Sequence, residues 1–255
     1  MTADALHVRG LRIVFGGLVA VDGVDLDVPV GRLTGLIGPN GAGKTTTFNA
    51  CTGLVRPTEG IVTLFGRDIT LTSPPARARL GLGRTFQRME LYDRLTVEEN
   101  VALGREANFA GRRALGLLWG TRAERAEITQ ARDEAIELCG LGGLRGQRCG
   151  VLSTGQRRLV ELARALAGDF RILLLDEPSS GLDVRETEAF GRILRAAVED
   201  RGAGILLVEH DMALVTSVCE YVYVLDFGRL IAEGALADVT SSPAVRTAYL
   251  GTEVA

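Results

Sequence analysis

Leu33-Thr34-Gly35-Leu36-Ile37, followed without a gap by Gly38-Pro39-Asn40-Gly41-Ala42-Gly43-Lys44-Thr45, is the stretch that decides the architecture of this chain. Its first part reads as a buried strand and the residues from about Gly43 to Cys51 as a helix. The loop between them fits G-x-x-x-x-G-K-[ST], in which glycines let backbone N–H groups turn inward around an anion. The helix start adds the positive end of its dipole at the same point. Lys44 is the only lysine among 29 basic residues. The one compact ammonium thus stands where a planar guanidinium would be a poor substitute. From there it reaches the β- and γ-phosphates of a nucleotide as a point charge, and the Thr45 hydroxyl is suited to bind Mg²⁺.

Two further stretches extend this chemistry. Ile172-Leu173-Leu174-Leu175-Asp176-Glu177 reads as a buried strand ending in carboxylates. Asp176 is expected in the Mg²⁺ shell, with apolar neighbours keeping the site dry. Glu177 is expected to point elsewhere through strand alternation and to polarise an attacking water as general base. Together with the phosphate loop, this describes a P-loop nucleoside triphosphatase. Leu152-Ser153-Thr154-Gly155-Gln156 opens a helix carrying Arg157 and Arg158. Ser153 suits an N-cap and Gly155 leaves room for a close phosphate, so this is a second helix start fit for an anion. A simply capped helix suits the same residues taken alone.

The composition frames these motifs. In 255 residues, 46% are hydrophobic and 24% charged, enough apolar content for a core and against long disorder. A net charge of −3 gives no basic field for nucleic acid. Cys51, Cys139, Cys149 and Cys219 form no C-x-x-C pair, and His7 and His210 add little toward a zinc site, so free thiols in a reducing compartment are expected. Met1-Thr2-Ala3-Asp4 does not open an export signal, and no apolar run approaches the ~20 residues of a membrane helix. A cytosolic protein is expected, able to sit on a membrane by docking to a spanning partner.

Working outward, residues 6–37 alternate apolar and polar in short stretches and predict antiparallel strands and turns, with another strand over Ile61 to Phe65. Helical spacing over 96–104 and 122–139, separated by a Gly/Arg-rich stretch over 104–121 with Trp119, predicts an inserted helical subdomain. Helices over about 156–167 and 185–199 alternate with apolar runs at Ile172 to Leu175 and Ile205 to Val208, the pattern of parallel strands buried on both faces. The tail over 221–250 predicts two short strands around Asp226-Phe227-Gly228-Arg229, then two small helices. No repeat or low-complexity linker is present.

With these motifs in order, the chain resembles an ATP-binding cassette (ABC) ATPase over nearly its full length. Residues 38–45 resemble its Walker A motif, 172–177 Walker B and 152–156 the family signature. Arg84-Thr85-Phe86-Gln87 resembles the Q-loop, Ser180-Gly181-Leu182-Asp183 the D-loop and His210 the switch histidine; Phe15 stands where an adenine-stacking aromatic is expected. The resemblance implies an α/β fold with a mainly parallel core sheet, an N-terminal antiparallel β part and an inserted α-helical subdomain. It implies a single domain over 1–255, with a core of 1–87 and 149–255, a helical subdomain over 88–148 and a C-terminal extension over 221–255. ATP would meet Phe15, Asn40, Gly41, Ala42, Gly43, Lys44, Thr45 and Thr46 of one chain and Ser153, Gly155, Gln156 and Asp183 of a second. Thr45, Asp176 and Gln87 would hold Mg²⁺, and Glu177, His210, Gln87 and Lys44 would carry hydrolysis. Taken alone, His210 also suits a structural histidine at a strand end, and Asp183 a cap of the following helix. Thr154 replaces the family's usual second glycine, and Phe15 its commoner tyrosine, which keeps the π-face but drops a hydroxyl.

Within the family, Leu95-Thr96-Val97-Glu98-Glu99-Asn100-Val101, Val208-Glu209-His210-Asp211-Met212 and Ala248-Tyr249-Leu250-Gly251 look like ATP-binding subunits of branched-chain amino acid importers, a group that includes urea and short-amide importers. The resemblance implies membrane-spanning permease subunits, a second ATPase subunit that is a copy or a paralogue, an indirect solute-binding protein, and a place on the inner face of the cell membrane. Met89, Glu90, Leu91 and Tyr92, a mix of apolar and aromatic residues just after Gln87, suit a docking cleft for the permease and equally a buried hinge. The alternatives are a lipopolysaccharide-export ATPase, a soluble ABC ATPase acting on ribosomes or DNA, and a P-loop kinase. The kinase would leave the signature helix and His210 unexplained.

Overall fold

The computed structural model describes residues 5–85, 90–110, 121–210 and 212–250. β1 (Ala5–Phe15) and β2 (Leu18–Pro29) pair antiparallel from end to end. The alternation over 6–37 thus belongs mainly to two long strands rather than to a series of short ones. The ladder absorbs Gly10 in a register shift between Val8 and Leu11, where the Gly10 amide donates to Asp25 Oδ1 at 2.5 Å. β3 (Leu33–Ile37) leads into α1 (Lys44–Thr52). β4 (Glu59–Leu64) joins the other edge of β1 and β5 (Arg67–Asp68) follows, giving the order β2-β1-β4-β5.

The second sheet runs β10-β9-β3-β8-β7-β6. It is built from β3, β6 (Leu82–Arg84), β7 (Ile172–Asp176), β8 (Gly204–Val208), β9 (Tyr221–Asp226) and β10 (Arg229–Ala235), and all neighbours are parallel except β10 against β9. Every residue of β3, β7 and β8 is buried, as a sheet covered on both faces requires. Alternate side chains go to opposite cores. Leu173, Leu175, Ile205 and Leu207 face the helical side; Ile172, Leu174, Leu206 and Val208 join Phe48 of α1 and the inner face of the antiparallel sheet. The parallel sheet is therefore the middle layer, and its β3, β7 and β8 ends carry the chemistry.

α2 (Pro74–Arg79) closes the far end of α1. Arg77, almost fully buried, donates through Nη1 to the carbonyls of Ala50 (2.7 Å) and Cys51 (2.6 Å), and through Nε and Nη2 to those of Thr72 and Thr70. α3 (Val97–Ala110), α4 (Arg122–Leu138) and α5 (Thr154–Ala167) pack on one another, and α6 (Val184–Arg201), α7 (Met212–Val218), α8 (Leu236–Ser241) and α9 (Pro243–Leu250) complete the chain. The helix read over 96–104 runs on to Ala110. Gly104 does not break it, because it is a point of close packing: a Cβ there would lie 1.9 Å from the Arg164 carbonyl oxygen of α5. All four cysteines are free and buried, and burial pushes the Cys51, Cys139 and Cys219 thiols up to about 12. No helix among the described residues is long and apolar enough to cross a membrane.

Candidate nucleotide-binding site

α1 differs from the other long helices at its start. α4, α5 and α6 open with capping boxes, Thr121 with Glu124, Ser153 with Gln156 and Asp183 with Glu186. No side chain caps α1 at Gly43, so its first-turn amides are left for an anion. Gly43 has φ 97°, and a Cβ there would lie 2.7 Å from the Ala20 carbonyl, so only glycine serves. Lys44 is buried and donates through Nζ to the carbonyls of Gly38 (2.7 Å) and Pro39 (3.0 Å). Burial holds its pKa below the usual lysine value, against the pull of Glu177, Asp176 and Glu209. A cavity of about 460 Å³ opens here, lined by residues 40–46 together with Leu18, Val19, Ala20, Glu177 and Phe227. That volume suits a nucleotide-sized ligand.

Two carboxylates follow one another at the end of β7, and the second, Glu177, lines this cavity. Asp176 ends the strand fully enclosed, and its Oδ1 has no hydrogen-bond partner among the described residues. Burial, then the charge of Glu177, pushes its carboxyl up to about 6, with Arg84 and Lys44 opposing. An orphaned, desolvated carboxylate oxygen is a hard-cation donor in waiting, and the Thr45 hydroxyl on the cavity wall matches it, so the residues fit Mg²⁺. Glu177 does line the cavity, but strand alternation is not the reason. It lies one residue past β7 with φ 46°, a left-handed turn unusual for a non-glycine, and its amide donates to the Val208 carbonyl at 2.9 Å.

His210 follows β8 and stands beside Glu177, Nδ1 to Oε1 3.7 Å. Next to His210 stands a carboxylate to which the sequence alone assigns no role. Glu209 is fully buried; its Oε1 accepts from the Ser179 amide (2.9 Å) and hydroxyl (2.7 Å), and its Oε2 from the His210 amide (3.2 Å). One carboxylate thereby fastens the segment after Glu177 to the segment that carries His210. The available signal was a carboxylate ending a buried apolar run, the same feature that made Asp176 legible.

Other expected residues lie apart. Phe15 ends β1 half-exposed and paired with Leu18; it is not among the described residues lining the cavity, whereas Phe227 is. Gln87, Met89 and Asp211 lie outside the described residues. Ser153 and Gln156 cap α5 reciprocally, and Asp183 caps α6, as its alternative reading had it. The missing side chain of Gly155 makes room for Glu186, whose Oε1 lies 2.1 Å from where a Cβ would be. Arg158 ties α5 to the same region, pairing with buried Glu161 (3.0 Å) and donating to the Ser180 carbonyl (3.4 Å). These helix starts form no part of the cavity of residues 40–46.

Fold and site together define a P-loop nucleotide-binding protein. The ABC transporter family profile matches residues 21–180, and a profile described as branched-chain amino acid ATP-binding cassette transporter matches residues 229–255. The chain is 37% identical, over 98% of its length and 99% of theirs, to the high-affinity branched-chain amino acid transport ATP-binding proteins BraF of Pseudomonas aeruginosa and LivG of Escherichia coli. It is also 37% identical to the lipopolysaccharide export ATP-binding protein LptB of Acidithiobacillus ferridurans, over 98% of both chains. A solved ABC transporter cassette in its ADP conformation superposes with a TM-score of 0.84 at 31% identity, covering 97% of this chain and 99% of that one. This chain belongs to the ABC transporter family of ATP-binding cassettes, and it is an ATPase.

Proposed function

We propose that the chain is the ATP-hydrolysing subunit of an ABC importer for branched-chain amino acids. It works as one of a pair of ATPase subunits, on the cytoplasmic face of the membrane, beneath permease subunits fed by a solute-binding protein. The observation that supports the pairing is that the uncapped helix start and the signature-like segment lie apart in one chain. Residues 40–46 and Glu177 share one cavity, while the starts of α5 and α6 lie outside it. A head-to-tail pair uses both sets, the second chain presenting Ser153, Gly155, Gln156 and Asp183 to the nucleotide. The match over 229–255 and the likeness to BraF and LivG support the importer; lipopolysaccharide export is the second reading, favoured by the equal identity to LptB.

The chemistry follows from the residues. Phosphates are held by the loop amides and the start of α1, and Lys44 exchanges the Gly38 and Pro39 carbonyls for phosphate oxygens. Thr45, Asp176 and Gln87 would hold Mg²⁺, which when bound neutralises charge on the β- and γ-phosphates. Glu177 accepts the proton of the attacking water, and His210, 3.7 Å from it, helps orient that water and the γ-phosphate. Glu177→Gln should bind ATP normally, lose turnover by about 10²-fold or more, and keep its subunits paired in ATP. Turnover near the wild-type rate removes Glu177 from the role of base. Uptake of radiolabelled leucine by the reconstituted transporter checks the solute; none, with lipopolysaccharide extraction instead, decides for the second reading.

A further inference from the structure

Phe227 is 86% exposed, the most exposed of the large apolar side chains among the described residues. It belongs to neither hydrophobic core. Its backbone has φ 43°, a left-handed conformation that a bulky side chain rarely adopts. An aromatic held in strain and offered to water has no account in the folding of this chain.

The turn that carries it is not loose. The Gly228 amide donates to the Ala42 carbonyl of the phosphate loop (3.0 Å), and the Asp22 amide of β2 donates to the Gly228 carbonyl (2.8 Å). Arg229 pairs with Asp22 at 2.8 Å. The β9–β10 turn is therefore pinned to both the phosphate loop and β2, and these same three segments form the cavity wall. Apart from residues 40–46 and Glu177, the lining is apolar: Leu18, itself 70% exposed, Val19, Ala20 and Phe227. A triphosphate seated on residues 40–46 leaves its planar, apolar end to be covered, and a phenyl face is the group that stacks on a heteroaromatic ring.

We propose that Phe227 is a nucleobase-contacting residue, forming the outer aromatic wall of a base slot whose other wall is Leu18 to Ala20. This rests on the nucleotide-site reading above. Being a ring face with no hydrogen-bonding group, it favours any purine over a ligand without a base and discriminates weakly between adenine and guanine.

The test compares MgATP with Mg-tripolyphosphate, which has the phosphates and no base, by calorimetry on the full chain. Phe227→Asn removes the ring while keeping a residue tolerant of the left-handed turn; Phe227→Tyr keeps the ring. The Asn variant should bind ATP about tenfold more weakly with tripolyphosphate affinity unchanged, and the Tyr variant should match wild type for both. ATP affinity unchanged in the Asn variant overturns the proposal. So does an equal loss for both ligands, since that assigns the turn a role in shaping the phosphate loop. Wild-type protein that binds neither ligand overturns the nucleotide-site reading, and the proposal with it.

Discussion

In metal-free protein the charge of Asp176 opposes folding. Its folded value of about 6 lies above the ordinary carboxylate value of about 4, so the folded chain keeps a proton there that the unfolded chain has released. That contribution to stability is present at low pH and is lost as the pH rises through 6. Asp176→Asn, melted in chelator, should therefore exceed wild type by a few degrees at pH 8 and by much less at pH 4.5, while ATP turnover is abolished at both. Removing the Glu209 side chain should instead destabilise. Glu209→Ala leaves the Ser179 amide and hydroxyl without their acceptor in a buried place, and should cost about 1–3 kcal/mol in denaturant unfolding. Lys44→Arg should weaken ATP binding at unchanged charge, because a fork does not fit between the Gly38 and Pro39 carbonyls as an ammonium does; nucleotide titration of the variant checks it.

At the scale of elements, the closest backbone approach in the helical unit is testable on its own. Gly104→Val brings a side chain onto the Arg164 carbonyl and should destabilise by about 2 kcal/mol or more. Gly142→Ala, with open space around it, is the neutral comparison in the same melts. Elements were legible in proportion to how far their own residues decide them. Ile172 to Leu175 of β7 and Ile205 to Val208 of β8 are continuous apolar runs because both faces are covered, and the starts of α1 and α5 are written in Gly43-Lys44-Thr45 and Ser153. β6 is three residues including Gly83 and Arg84, a strand only because β7 lies beside it. Gly10 looks like a turn and becomes a bulge because β2 continues past it. At the site, Lys44, Asp176 and Glu177 were expected from type and spacing, and His210 only from the resemblance of the motif order to the family's. Glu209 and Phe227 were not, since one acts through Ser179 and the other through a turn pinned by Ala42 and Asp22, contacts between distant parts of the chain.

For the whole molecule, the proposed pairing makes turnover depend on encounter. The rate per chain should climb with protein concentration and level off once pairs predominate, which a dilution series of steady-state rates measures; a constant rate per chain in verified monomers overturns it. α1 is provided for differently at its two ends. Its leading end is reserved for phosphate, while a sealed guanidinium, Arg77, grips its last carbonyls. Positive charge thus anchors the tail and negative charge settles on the head, so each end of the dipole is already matched when nucleotide arrives. Both ends of α1 are thus electrostatically provided for before any other part of the chain need respond.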